Sequence, residues 1–312
     1  MKPLPFLGLA AAVALAIFFV IRLTGSEYAF VAGYVVVQYV VLATAWNILG
    51  GYTGYVNFGT AAFFALGSYS TVVVYELQLP LPIVALMLIG GVVSGLVGLG
   101  TGYLTLRLRG VYFSIATLAL AVVLQTAITN WDFVGGSRGS YVIRPATAPW
   151  GSGSYVEYLF LVMGLLAAVV VWVARLIERS KLGYGFATIR DDELAAEASG
   201  VPTLRLKLIG TTLSGGLMGA VGAPFPYFIT YVEPASAFNL GYAVNSIAMP
   251  LVGGMSSWAG PVMGAVLLGT IQEVTRVTIS SAINLLIVGV ILVGFVVLAP
   301  NGLLGLLQRR VR

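Results

Sequence analysis

Charge is what this sequence has least of. Only 9% of its 312 residues are Asp, Glu, Lys or Arg, against 59% apolar residues and a mean hydropathy of +0.99. A soluble domain carries roughly 25% charged residues to solvate its surface. Most of this chain therefore has lipid as its solvent, where backbone groups are satisfied inside helices. Cysteine is absent, which excludes a disulfide framework, a thiolate metal site and a cysteine nucleophile. Histidine is absent too. With it go the Ser-His-Asp triad, the commonest metal ligand and the usual near-neutral pH switch. There is no Gly-x-x-x-x-Gly-Lys-[Ser/Thr] phosphate loop, so this chain is not expected to hydrolyse ATP itself. No paired carboxylates lie inside an apolar run, which disfavours a relay of buried acids. The pI of about 9.4 does not point to nucleic acid, because the basic residues sit at the ends of apolar runs. No cofactor is implied.

What is there is a succession of apolar runs. They fall near 4–21, 28–49, 54–77, 82–106, 111–129, 155–177, 206–230, 240–254, 261–280 and 283–300. The fold class expected is an all-α polytopic membrane protein with about ten transmembrane or partly re-entrant helices, since a span needs ~20 residues. The run Leu4–Ile21 lacks a small-residue cleavage site and reads as the first membrane helix rather than a signal peptide. The eighth run is short for a full span. Pro250, Gly253 and Gly254 at its end favour a broken or re-entrant piece. Residues 1–312 form one transmembrane domain in this reading, with polar loops at 130–154 and 178–205.

The positive-inside rule sets the orientation. With ten crossings and both termini in the cytoplasm, the inner side holds Lys2, Arg107, Arg109, Arg175, Arg179, Lys181, Arg190, Arg205, Lys207, Arg309, Arg310 and Arg312. The outer side holds Arg22, Arg138, Arg144 and Arg276. The split is 12 against 4 of the 16 basic residues.

Glycine recurs at helical spacing in Gly91, Gly95, Gly98 and Gly102, in Gly215 and Gly219, and in Gly260 and Gly264. Small residues so spaced let helix backbones approach in lipid; tight packing is the plain reading, and sliding helices or a narrow path the sharper one. Gln38, Asn47, Asn57, Thr117, Gln125, Asn245, Gln272 and Asn284 are uncharged polar residues within runs. Each needs a partner or water: interhelical hydrogen bonds for any one of them, and together a partly hydrated interior. Rings of charge or a carbonyl filter, the marks of an ion-selective channel, are missing. Glu273 and Arg276 share a helix face, which favours a structural ion pair over a substrate or gating contact. The stretch Asp191–Ser199 reads as a short helix with acids in its first turn, Gly200 after its end and Pro202 beyond. It is either a solvated loop helix or a docking surface.

Five patches carry a family resemblance. They are 47–69 (beginning Asn47-Ile-Leu-Gly-Gly-Tyr-Thr-Gly-Tyr-Val-Asn57-Phe-Gly-Thr60), 106–118 with Gly135-Gly-Ser-Arg-Gly139, 180–200, 253–265 (beginning Gly253-Gly-Met-Ser-Ser-Trp-Ala-Gly-Pro261) and Pro300-Asn-Gly-Leu-Leu-Gly305. In this order they resemble the permease subunits of branched-chain amino acid ABC transporters across nearly the whole chain. Two positions depart from the family pattern: Thr60 stands where many members have His, and Arg138 where an acid is frequent.

The resemblance implies a translocation subunit of an ATP-driven importer in a bacterial inner membrane or archaeal cell membrane, and not an enzyme. It would move branched-chain or other hydrophobic amino acids by alternating access. The partners implied are two cytosolic ATPases, a second related permease and an extracellular or periplasmic binding protein. The loop residues Gly183, Arg190, Asp191, Asp192, Glu193, Ala196, Glu197 and Gly200 would contact the ATPase. A substrate path is expected near Asn57, Phe58, Thr60, Phe63, Phe225 and Asn245, with helix ends at Gly50–Gly51 and Pro250–Gly254 supplying dipoles in place of charges. A permease for urea or short amides, or an ion-coupled secondary carrier, is the alternative.

Overall fold

The computed structural model describes residues 3–105, 108, 110–151, 153–278, 281–298 and 302–305. Lys2, Arg107, Arg109, Arg309, Arg310 and Arg312 of the orientation argument lie outside the described residues, as do Leu106, Pro300 and Asn301 of the family patches and the side chain of Asn284. Among the described residues the regular structure is helical apart from one two-residue strand pair and an isolated bridge between Thr147 and Ser154. Among the described residues, six helical stretches are long and apolar enough to cross a membrane: Leu4–Thr24, Glu27–Thr53, Ile83–Thr105, Val111–Thr129, Tyr155–Glu178 and Thr203–Ile229.

Helix α1 (Pro3–Thr24) lies on the outside of the bundle, and α2 (Glu27–Thr53) runs through its centre. Ser26 caps α2 by accepting from the Ala29 N–H at 3.3 Å. From Gln38 to Thr53 every side of α2 is buried, so the helix carries no polar face. It ends at Gly54, whose φ of +78° and N–H to the Gly50 carbonyl form a left-handed cap. The expected helix end at Gly50–Gly51 is therefore corrected: both glycines lie inside α2. They are needed there for packing, because a Cβ on Gly51 would meet the Asn47 side chain and the Met255 carbonyl.

The run 54–77 is not one helix. Residues 54–59 are non-helical, and α3 spans Thr60–Glu76. This irregular stretch turns back beside α2: the Trp46 indole Nε1 donates to the Asn57 carbonyl at 2.8 Å, seven residues before the end of α2, about 10 Å back along it. Its backbone finds partners on α5 (Val111–Thr129). Ser114 donates to the Val56 carbonyl at 2.8 Å, and the Phe58 N–H donates to Thr117 Oγ1 at 3.1 Å.

α4 (Ile83–Thr105) and α9 (Thr203–Gly222) pack along each other through the glycine stripes. Gly91 and Gly216 face one another's carbonyls, and Gly98 faces the Thr211 carbonyl. The run 206–230 is broken after Gly222, where Pro224 and Pro226 intervene before α10 (Phe225–Ile229). Pro226 has no N–H for the Gly222 carbonyl. Ser68 on α3 donates there at 2.9 Å, and Thr71 donates to the Ala223 carbonyl at 2.8 Å.

Helix α6 (Tyr155–Glu178) packs on α2 and α1, and Arg22 and Glu157 approach to 3.9 Å where α1 ends and α6 begins. The loop before α6 forms β1 (Ser140–Tyr141), paired antiparallel with β2 (Tyr231–Val232). The predicted single helix 191–199 is corrected to two. α7 (Lys181–Asp191) starts earlier, capped by Ser180, and α8 (Glu193–Ala198) follows a break at Asp192. Asp192 is extended, and its carboxylate caps α8 by accepting from the Ala195 N–H at 3.1 Å. The Ser180 cap and the Gly183 contact with the end of α6 start the helix ten residues before the acidic cluster that drew the sequence reading.

After α11 (Pro234–Ala237), the 14-residue α12 (Leu240–Gly253) is about 21 Å long. That is short of the ~30 Å hydrocarbon core, and Pro250 lies inside it. α13 (Ala259–Thr278) and α14 (Ser281–Leu298) complete the bundle. α12 and α13 meet backbone to backbone: a Cβ on Gly253, Gly260 or Gly264 would overlap the facing helix.

The small-residue contacts give a test. A Cβ on Gly67 would overlap the Gly219 carbonyl, whereas one on Gly100 meets nothing within 4 Å. Gly67→Ala should lower the melting temperature in detergent by several degrees, in the range of about 1–3 kcal/mol for overpacking. Gly100→Ala should melt at or slightly above the parent. Equal melting of the two variants would show that α3 and α9 are not in contact.

Candidate functional site

Two polar regions stand at opposite ends of the bundle. The first is built on the ends of α2, α6 and α9. Lys207, in the second turn of α9, is buried, and its Nζ lies 2.6 Å from Glu193 Oε1 on α8 and 3.1 Å from the Tyr55 hydroxyl. Tyr55 also donates to Glu193 Oε2. The Lys207 ammonium stands 4.7 Å from the Tyr55 ring centre. A buried ammonium is strongly disfavoured unless paired, and this arrangement ties α8, α9 and the irregular stretch 54–59 to one point. Nearby, Glu178 accepts from the Trp258 N–H at 2.6 Å, and Arg175 covers the Phe6 ring at 3.9 Å. Tyr184 and Leu194 project outward, 71% and 63% exposed.

The second region is a cavity of about 750 Å³. It lies between the first half of α2, the segment from α10 to the first turns of α12, and the last turns of α13. One wall is aromatic: Phe225, Phe228 and Tyr242. Across it runs a polar ladder of Gln38, Tyr39, Asn245, Gln272 and Arg276. Asn245 Nδ2 donates to the Tyr39 hydroxyl at 3.2 Å, and Gln272 Nε2 donates to Asn245 Oδ1 at 2.8 Å. Arg276 Nη1 lies 2.9 Å from Glu273 Oε1 one turn back on α13. A pocket with one apolar and one hydrogen-bonding wall suits a small solute that is polar at one end and apolar at the other.

The family model described as branched-chain amino acid transport system / permease component matches residues 28–296. The chain belongs to this permease family. Among curated relatives, the high-affinity branched-chain amino acid transport system permease protein LivM of Salmonella typhimurium is 27% identical over 290 residues, covering 85% of this chain and 67% of the relative. LivM of Escherichia coli K12 matches to the same extent. LivH of Salmonella typhimurium, a permease protein of the same named system, is 21% identical over 86% of this chain and 91% of its own length. No solved structure matches. Membership and the six spanning helices together make this permease a multi-pass membrane protein.

The expected path residues of this permease divide into two groups. Phe225 and Asn245 line the cavity. Asn57, Phe58, Thr60 and Phe63 do not; they belong to the irregular stretch and the start of α3. Asn57 caps the turn by accepting from the Gly59 N–H at 2.7 Å, while its Nδ2 and Thr60 Oγ1 are buried without a hydrogen-bond partner. Phe63 fills the space between Gly98 and Gly215. Arg138 lies in the loop between α5 and α6, where its carbonyl accepts from the Tyr231 hydroxyl at 2.7 Å.

The loop residues fall into tethers and surface. Gly183 packs against the end of α6, Arg190 against Gly54, and Ala196 is buried. Asp191 pairs with Arg190 at 3.4 Å on the surface. Glu197 accepts from Thr203 at 2.7 Å, and Gly200 has the positive φ of +83° that a helix-ending glycine allows. The ties made by Tyr55 and Lys207 went unrecognised in the sequence. A Lys inside the apolar run 206–230 was the available signal, since a cation there must have a partner.

Removing one partner of a buried pair leaves the other charge uncompensated, at a cost of about 3–5 kcal/mol. Glu193→Gln should therefore sharply lower the thermal stability of the permease in detergent. The double change Glu193→Gln with Lys207→Met should recover a large part of it. Strictly additive losses in this double-mutant cycle would show that the two side chains do not interact.

Proposed function

We propose that this chain is the translocation subunit of an ATP-driven importer that moves branched-chain or other hydrophobic amino acids into the cell by alternating access. One observation carries the reading: the amphipathic cavity and the tethered helices α7 and α8 lie at opposite ends of one bundle, joined by the buried α2. The curated relatives named for branched-chain amino acid transport support the substrate class. ATP would be hydrolysed by two partner subunits that dock on the exposed surface of α7 and α8. Tyr184 and Leu194 offer that surface apolar contact area. A second permease, related to this one as LivH is named beside LivM, and an external binding protein would complete the assembly.

The orientation follows from the basic residues. Arg175, Arg179, Lys181, Arg190, Arg205 and Lys207 gather at the α7–α8 end, and Arg22, Arg138 and Arg144 at the other. The first end is cytoplasmic in this reading, and the membrane is the plasma membrane. The chain is naturally free of cysteine, so single introduced cysteines report topology without background. Ile143→Cys, at a position 77% exposed, should react with an impermeant maleimide added to intact cells, and Tyr184→Cys should react only after the cells are opened. The reverse pattern would invert the proposed topology.

The function itself is tested by reconstitution. This chain alone in liposomes should take up no leucine, isoleucine or valine, even under a proton or sodium gradient. With two ATPases, the second permease and the binding protein, ATP should drive accumulation. Uptake by the chain alone would replace the importer by a secondary carrier, and ATP-driven uptake of urea without amino acids would keep the class and change the substrate.

A further inference from the structure

Arg276 is the charged residue lining the cavity among the described residues. The other polar lining groups used here, Gln38, Tyr39, Asn245 and Gln272, are neutral. Its guanidinium is about half exposed, and Glu273 engages it through Nη1 at 2.9 Å. Glu273 itself is buried, and the cavity is lined by Arg276 rather than by Glu273. A guanidinium carries five N–H donors in a planar fork, so one carboxylate at Nη1 leaves donors to spare. The fork matches a second carboxylate in geometry and charge. One turn earlier on α13, Gln272 stands beside it, and its amide is held by Asn245 at 2.8 Å. The first turn of α12, at Asn239 and Gly241, enters the same cavity and adds the positive end of that helix.

We infer that Arg276 is the group that binds the carboxylate of the transported solute, with Gln272 beside it and Phe225, Phe228 and Tyr242 receiving the apolar side chain. This rests on the amino acid importer reading and narrows it: the site takes an α-carboxylate joined to a compact apolar group, and it rejects the corresponding amide or amine. The Glu273 pairing sets the strength. It keeps the guanidinium oriented on α13 and neutralises part of its charge, so that the carboxylate is held loosely enough to leave. The ammonium group of the solute meets oxygens of the polar wall, such as those of Tyr39 and the Gln38 amide.

The test uses a single cysteine in the full chain in lipid nanodiscs. Leu240→Cys places a thiol at a cavity-lining position that is 52% exposed, and Ile143→Cys serves as a control outside the cavity. Millimolar L-leucine should slow maleimide labelling at 240 and leave 143 unchanged. Leucinamide and isoamylamine, which lack the carboxylate, should protect neither. Adding Arg276→Gln should raise the leucine concentration needed for protection about tenfold or more, the loss expected for a charge-assisted hydrogen bond. Arg276→Lys, which keeps the charge without the fork, should fall between. Equal protection by leucine and leucinamide, undiminished protection in Arg276→Gln, or no protection by leucine would each overturn the assignment. These outcomes are separate from the reconstitution result: ATP-driven leucine uptake with intact protection in Arg276→Gln keeps the importer and removes only the role of Arg276.

Discussion

In lipid every backbone N–H and C=O must find its partner within the protein, and the rest of this structure follows from how the chain meets that demand where its helices break. Residues 54–59 leave the helical pattern beside α2, and Ser114, Thr117 and Trp46 bond their backbone. The interruption after Gly222 is met by Ser68 and Thr71. At the turn between α12 and α13, Asn47 donates to the Met255 carbonyl at 3.1 Å, and Glu178 accepts from the Trp258 N–H. Four of these breaks' partners are hydroxyls, one an indole, one an amide and one a carboxylate. Polar side chains in the bundle are thus spent largely on backbone, which explains how a chain with 9% charged residues can carry so irregular a path.

The same breaks separate stiff parts from adjustable ones. Where α4 meets α9, and where α12 meets α13, glycine brings backbone against backbone. The atoms facing these glycines are largely backbone, and the long side chain seated there, Phe63 between Gly98 and Gly215, is itself enclosed by them. Each pair is therefore suited to move as a unit. The cavity lies between α2 and the α10–α13 segment. In the proposed transport cycle, a push on α8 would reach the irregular stretch 54–59 through Glu193 and Tyr55. It would also reach α9 through Lys207. That divides one displacement between two structural units whose relative position shapes the interior.

The apolar runs told most of the fold. Runs of about 20 residues with terminal basic residues located nearly every long helix, because length and hydropathy are the physical conditions for crossing a bilayer. The interruptions were harder to read. Gly54 supplies a local stop for α2, but the run 54–77 stays apolar enough to read as one segment; the non-helical path of 54–59 also depends on Ser114 and Thr117, far along the chain. At 224–226 the prolines did mark the break. The acids at 191–193 look like a helix start, and the sequence pattern there predicts one short helix, 191–199. They are one, but of α8, with α7 already formed ahead of it by the Ser180 cap. Of the path residues, Phe225 and Asn245 came from the cavity-forming segment. The patch around Asn57 resembles the family strongly, yet its side chains are committed to turning the backbone and filling the α4–α9 contact.

A conduit differs from a receptor in what its polar groups must do. A receptor gains from every complementary charge, whereas a conduit must release what it holds in each cycle, so binding has to be favourable enough for entry and weak enough for exit. The cavity here has the chemistry of the second kind. Its ladder of amides and a phenol offers hydrogen bonds of about 0.5–1.5 kcal/mol net each, and its guanidinium is already shared with Glu273. An unpaired Arg in the same place would hold a carboxylate more strongly and would also attract other anions. In the proposed binding role, the ion pair on one face of α13, which by itself looks structural, would set the affinity of the site: it would present a carboxylate-shaped fork while lowering the field that surrounds it.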